Sequence, residues 1–245
     1  MIDPDDMILN EELLQELYNY NLIYKLDMIE FSVFHKREEK KTVYFPNNHK
    51  LNHFHKFKKK IIYQPELSNI IFYKPNTYKY SEVICRTIWN KIIRRNILLK
   101  TIDYIQNDFK NKFLITADDT PINIINFNFA RNYSNINLPG YLYNIRKNSM
   151  SNGKNGKKHD IIVSINYLLY YKFLYRYIKD FNKDLNFLYY DIKQFSFFLT
   201  NIIKLNITEY IPILIDFYKN IINEKNISKQ FKKYIISINL KIKYF

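Results

Sequence analysis

Two groups of carboxylates carry the chemistry that this chain can offer. Asp3, Asp5 and Asp6 fall within the first six residues, behind the apolar pair Met1-Ile2. Asp118 and Asp119 follow the short apolar run Phe113-Leu114-Ile115-Thr116 and precede Thr120-Pro121. An Asp-x-Asp spacing at a strand end lets the chain turn between two acids and aim both at one point. Hard divalent cations take oxygen ligands, and Mg²⁺ is usually held by one or two carboxylates together with the phosphates of a substrate. Both groups also suit ordinary helix starts. Asp3 would be an N-cap with Pro4 at N1, and Asp119 or Thr120 a cap with Pro121 at N1. The residue types by themselves leave both readings open.

The elements that must position these acids are partly legible. Asn10-Glu11-Glu12 caps an amphipathic stretch carrying Leu13, Leu14, Leu17 and Tyr18 at helical spacing. Asp27 to Phe34 alternates and is rich in β-formers, so it reads as a strand and completes a strand–helix–strand unit that starts at the first acids. Residues 38–60 are polar and basic; His49, His53 and His55 lie among lysines that would repel a cation, which favours a solvated loop or short hairpin over a metal site. Ser81 to Ile105 reads as a long helix with Ile88, Ile92, Ile93, Leu98, Leu99 and Ile102 on one face. Phe113–Thr116 reads as a strand, Pro121 to about Asn132 as a helix with Ile122, Ile125, Phe129 and Ala130 inward, and Gly140–Arg146 as a strand. Asn152 to Lys158 holds two of the three glycines and reads as a linker. Beyond it, helices are expected at Ile161–Phe181, Leu188–Leu205, Tyr210–Asn223 and from Ser228 onward.

Composition limits the function class only loosely. The 245 residues suit one domain or slightly more, and 47% hydrophobic with 18% aromatic residues is ample for a core. The net charge of +15 and pI near 9.5 can signal an anionic partner. Here the basic residues are spread along a chain heavy in Asn, Ile, Tyr, Phe and Lys, a bias that AT-rich coding also produces. One cysteine, Cys85, excludes a disulfide framework and a thiolate metal site. No signal pattern opens the chain, and the most apolar stretch, Ile161 to Ile178, is broken by Lys172 and Arg176, so a membrane span is not expected.

In their order, the pieces resemble a family 2 glycosyltransferase of the GT-A type, of the bacterial cell-surface polysaccharide kind. Ile2-Asp3-Pro4-Asp5-Asp6-Met7-Ile8 is similar to that family's Asp-x-Asp metal motif and the start of the helix behind it. Ile88-Trp89-Asn90-Lys91-Ile92-Ile93-Arg94-Arg95 is similar to the segment before the acceptor helix, and Asp118-Asp119 stands where the family has a Glu-Asp pair. Tyr143-Asn144-Ile145-Arg146-Lys147-Asn148-Ser149-Met150-Ser151 resembles the closing strand and loop. Four motifs in order and at plausible spacing are more specific than any one of them. Two departures stand out: the first acid of the pair is Asp118 and not Glu, and there is no downstream Gln/Arg-x-x-Arg-Trp motif, which argues against a processive synthase. The family's nucleotide-binding half, about three strand–helix units of roughly 30 residues each, has no counterpart here, so the chain is expected to be N-terminally incomplete at the Asp-x-Asp motif.

The resemblance implies an α/β fold. Residues 1–155 would form the metal- and acceptor-binding half of a Rossmann-like GT-A domain with a mixed sheet, and residues 156–245 a helical C-terminal extension. It implies inverting transfer of a sugar from a nucleotide-diphosphate sugar to a hydroxyl of a glycan or lipid-linked acceptor. Asp5 would bind Mg²⁺ or Mn²⁺, with Asp3 on the metal or the donor's ribose. Asp119 would be the catalytic base, supported by Asp118. A carboxylate at a helix N-terminus is favoured in its charged form and is ready to take a proton. Arg146, Ser149 and Ser151 would fold over the diphosphate, and Trp89 and Lys91 would line the donor floor. A cytoplasmic protein, peripheral at the inner membrane face or free of it, is implied by the same resemblance; nucleic acid is not an expected partner. The competing expectations are an inactive remnant and a basic helical protein that binds nucleic acid or a membrane surface.

Overall fold

A computed structural model describes residues 7–9, 11–37, 43–44, 61–67, 88–109, 119–145, 156–225 and 227–243. The chain divides into two compact units, and residues 154–245 belong to the second.

The first unit is α/β with a mixed open sheet. Its strands are β1 (Met7–Ile8), β2 (Met28–Arg37), β3 (Val43–Tyr44), β4 (Ile61–Tyr63), β5 (Lys91–Ile93) and β6 (Asn132–Ile145). The helices are α1 (Leu13–Tyr24), α2 (Arg95–Phe109) and α3 (Asp119–Phe129). β2 and β6 run parallel at the centre. β1 and β4 flank β6, and β5 and β3 flank β2, all antiparallel.

β2 is central because both of its faces are apolar enough to be buried. Ile29, Phe31 and Val33 point to one side and pack on Leu13, Leu17, Leu26 and Tyr141, so α1 covers that face. Met28, Glu30 and Ser32 point to the other and are also buried. Leu13 and Leu17, four residues apart, supply the inner stripe of α1, while Leu14 and Tyr18 of the same amphipathic stretch lie outward. The helix ends at Lys25, which takes a left-handed φ of 49° and returns its N–H to the Asn21 carbonyl at 2.8 Å. The close fit of α1 to β6 needs Gly140: a Cβ there would lie 2.6 Å from Leu13 and 2.9 Å from Phe31.

β6 is longer than its sequence suggests. Pro139-Gly140 reads as a break, yet the strand runs through it, with the pairing to β2 shifting between Phe31 and Val33. Proline has no N–H to give a ladder, and a bulge is where a strand tolerates it. α3 ends at Phe129 and Asn132 already belongs to β6, which corrects the expected helix end. α3 is inward on almost every side, with Ile125 and Ala130 buried as expected and Ile122 and Phe129 half-buried. Its Phe127 ring meets Tyr133 edge-on at 5.2 Å, and Thr101 of α2 donates to Asn126 at 2.7 Å. The helix's last carbonyls are met from another element: Gln64 Nε2 donates to Phe127 O and Ala130 O, both at 2.7 Å.

Of the expected helix across Ser81–Ile105, residues 81–87 lie outside the described residues and the described part is corrected. Residues 88–90 form a turn, Lys91–Ile93 is β5, and the helix begins only at Arg95. The apolar spacing of Ile88, Ile92 and Ile93 fits a helix equally well; pairing of Lys91–Ile93 with Met28–Glu30 decides otherwise. Within residues 38–60 only the β3 pair is described, and it forms a hairpin with β2. The expected strand at Phe113–Thr116 lies outside the described residues.

The second unit is helical: α4 (Gly156–Asp180), α5 (Asn186–Lys204), α6 (Ile211–Ile222) and α7 (Lys229–Lys243). Residues 156–158, expected in the linker, already belong to α4. The aromatic stripes are core, as shown by fully buried Tyr170, Tyr171, Phe173, Tyr177, Tyr218 and Phe231. α4 and α5 both end on asparagines in the left-handed region, Asn182 at φ 48° and Asn206 at φ 52°. The next N–H in each case, from Lys183 or Ile207, reaches back five residues to Ile178 or Ile202. Asparagine thus takes the place glycine usually holds in this motif, in a chain with only three glycines. Ser228 caps α7, its Oγ accepting the Phe231 N–H at 3.2 Å. Among the described residues no helix is long and apolar enough to cross a membrane.

Candidate functional site

Of the residues expected to do chemistry, Trp89, Lys91 and Asp119 are described. Asp3, Asp5, Asp118, Arg146, Ser149 and Ser151 lie outside the described residues. Asp119 meets the turn that carries Trp89 at one corner of the sheet, and Lys91 follows that turn with its side chain inside the sheet.

Asp119 opens α3, half-buried, and its Oδ2 accepts the main-chain N–H of Ile88 at 3.3 Å. That N–H belongs to the turn leading into β5, so the helix start and the turn are tied by this carboxylate. One residue on, the half-buried Trp89 ring lies flat against two tyrosines of β6. The centroids are 4.9 Å apart for Tyr141 and 5.3 Å for Tyr143, with interplanar angles of 19° and 4°. Offset parallel rings at such distances favour one another beyond their buried area. The same stretch of β6 carries β1, where Met7 faces Leu142 and Ile8 faces Tyr141, directly after the first acids in the sequence.

Lys91 is placed differently from a residue that would line a donor floor. Its side chain is 0% exposed, and Nζ lies 3.0 Å from Glu30 Oε2, itself 1% exposed. The ammonium also donates to Asn90 Oδ1 at 3.0 Å, and Tyr133 donates its hydroxyl to Glu30 Oε2 at 3.0 Å. Lys91 therefore spends its charge inside the sheet, between Glu30 and Asn90. Sequence reasoning does not single out Glu30, Asn90 or Tyr133 as a polar cluster. The signal that could have found Glu30 is a lone acid inside Met28–Phe34, on a strand whose two faces are otherwise apolar or small.

A second polar knot, equally silent in the sequence, closes the neighbouring end of the sheet. The Asp27 carboxylate accepts the Arg131 main-chain N–H at 2.9 Å and Nε at 3.1 Å, and pairs with Arg94 at 3.2 Å. Burial pushes the Asp27 pKa up, but the hydrogen bonds from Arg131 and the charges of Arg131 and Arg94 outweigh it and hold the group below its ordinary value. Asp27 thereby joins the start of β2 to the end of β5 and the start of β6.

Among the described residues no group of three or more His, Cys, Asp or Glu side chains could hold a metal ion. The chain matches no protein-family model and no curated protein.

Proposed function

We propose that this chain is the metal-binding and acceptor-facing part of a GT-A type glycosyltransferase. It would transfer a sugar with inversion from a nucleotide-diphosphate sugar to a hydroxyl group in cell-surface glycan synthesis. The observation that carries this reading is the meeting of stretches far apart in sequence: Ile88 on Asp119, Trp89 on Tyr141 and Tyr143, and β1 on Tyr141 and Leu142. Asp119 and Trp89 are residue types that the reaction would use, β1 follows Asp3 and Asp5 in the sequence, and these contacts share one corner of one sheet.

In this reading Asp119 takes the proton from the acceptor hydroxyl as its oxygen forms the new bond at the anomeric carbon. The carbon–oxygen bond to the nucleoside diphosphate breaks on the opposite side. What supports this role is the place of Asp119 at a helix N-terminus, where a carboxylate is favoured in its charged form. Asp118 supports it. The planar Trp89 ring, backed by two tyrosines, presents a rigid wall for a sugar or base. Asp3 and Asp5 would hold Mg²⁺ or Mn²⁺, which when bound offsets the charge of the departing diphosphate. Arg146, with its forked donors suited to phosphate oxygens, and Ser149 and Ser151 would face that diphosphate.

The test is titration with nucleotide-diphosphate sugars in the presence of Mg²⁺ or Mn²⁺, and then a transfer assay. Asp119→Asn should keep donor binding and lower transfer by about 10²–10⁴-fold, the usual worth of a positioned base. Absence of any metal-dependent nucleotide-sugar binding by the unaltered chain would overturn the reading.

A further inference from the structure

We propose that the buried Glu30–Lys91 pair is a positioning device: it fixes the Ile88–Asn90 turn, and through that turn the Trp89 ring and the Asp119 carboxylate. Its catalytic use rests on the glycosyltransferase reading; its geometry does not.

A fully enclosed ion pair is a weak source of stability. Taking both charges out of water offsets most of their attraction, and well-packed apolar residues of similar volume often serve as well or better. What the pair supplies is direction. Lys91 Nζ is held between Glu30 Oε2 and Asn90 Oδ1, both at 3.0 Å. The Asn90 amide then donates to Phe31 O at 3.3 Å, while the Phe31 N–H donates to Asn90 O at 3.0 Å. Tyr133 holds Glu30 from β6. The turn is closed by the Lys91 N–H on Ile88 O at 3.2 Å, and its first N–H is the one that Asp119 accepts.

β2 and β5 therefore grip the residue next to Trp89 directly, β6 steadies that grip through Tyr133 and Glu30, and little backbone freedom is left between the grip and the tryptophan. Pairing of β5 with β2 covers Lys91–Ile93 only. Without the polar grip, residues 88–90 would keep their main-chain bonds to Phe31 and Lys91, the long hydrogen bond to Asp119 and the ring stacking, but would lose the side-chain hold that sets the direction of Asn90. A shift of about 1 Å at such a position is enough to undo a productive geometry.

Trp89 is the single tryptophan of the chain, so its fluorescence reports this turn alone. The decisive variant is Glu30→Leu/Lys91→Met/Tyr133→Phe, which removes the charges and the hydroxyl together and strands none of the three. It should unfold cooperatively with a midpoint close to that of the unaltered protein. Its Trp89 emission should shift to the red and become more open to acrylamide quenching. Asn90→Ala, which cuts the link from Lys91 to Phe31, should move Trp89 in the same direction by a smaller amount. A folded triple variant with unchanged Trp89 emission and quenching would overturn the proposal. Failure of that variant to fold would overturn it as well, because the pair would then be holding the domain and not the turn. Failure of the unaltered chain to bind nucleotide sugars would remove the glycosyltransferase reading and leave the fluorescence result standing.

Discussion

Asp27 offers the sharpest test of how this sheet is held. The carboxylate is 3% exposed and accepts the main-chain N–H of Arg131, so it satisfies a backbone donor at the point where the chain enters β6. The two arginine side chains around it are far more open, Arg94 at 39% and Arg131 at 75%, and their share is heavily screened by water. The backbone-to-carboxylate bond is the part expected to matter, at about 1.5–3 kcal/mol for a hydrogen bond to a charged group. Asp27→Asn keeps the shape and one acceptor oxygen and should cost about 1–2 kcal/mol. Asp27→Ala leaves the Arg131 N–H without its acceptor and should cost about 2–4 kcal/mol. The pH dependence has a fixed sign. The folded-state pKa of Asp27 lies below its ordinary value near 3.8. The stabilisation from its charge is therefore complete above that ordinary value and is lost as pH falls through the folded pKa. Urea denaturation monitored by Trp89 fluorescence, at neutral pH and at a series of acid values, measures both effects. The gap between Asp27→Asn and the unaltered protein should be full at neutral pH and should close only in strong acid. An Asn variant as stable as its parent at neutral pH, or a gap that does not narrow on acidification, would refute the reasoning.

Other outcomes rest on single contacts. Gly140→Ala should destabilise the first unit by about 1–3 kcal/mol by overpacking against Leu13 and Phe31, and Leu13→Val in the same chain should recover part of it in a thermal melt. Gln64→Ala removes a donor from the last carbonyls of α3 and should cost about 1–2 kcal/mol by urea denaturation; Gln64→Glu, which sets a charge against those carbonyls, should cost more. Tyr218→Phe removes a buried hydroxyl that has no hydrogen-bond partner among the described residues, so its melting temperature should equal or exceed that of the unaltered protein.

The helices of the second unit are legible in the sequence because their determinants are local. Apolar residues recur at helical spacing, Ser228 caps a start, and most of the ends fall within a few residues of expectation. α1 and β2 are legible for the same reason. The strand expected to end at the first acids lies outside the described residues, and Met7–Ile8, likened to the start of the helix behind them, is instead the strand β1, paired with β6. Lys91–Ile93 is not legible: three residues compatible with a helix become a strand because β2 offers them an edge. Pro139-Gly140 looks like a break because the bulge that absorbs it exists only when β2 lies alongside. Lys91 looks like a surface cation for want of any local sign that Glu30, far back in the chain, would sit opposite it.

The order of types along the chain determined by itself where most of the helices form, that the first unit contains strands, and which acids are candidates for chemistry. Those properties depend on neighbours within a few residues, and the sequence contains them in full. Tertiary structure alone decided which charges would be enclosed, which edges would pair, and that Ile88 would meet Asp119 across 31 positions. Those outcomes depend on desolvation and on strand partners that no window of sequence holds.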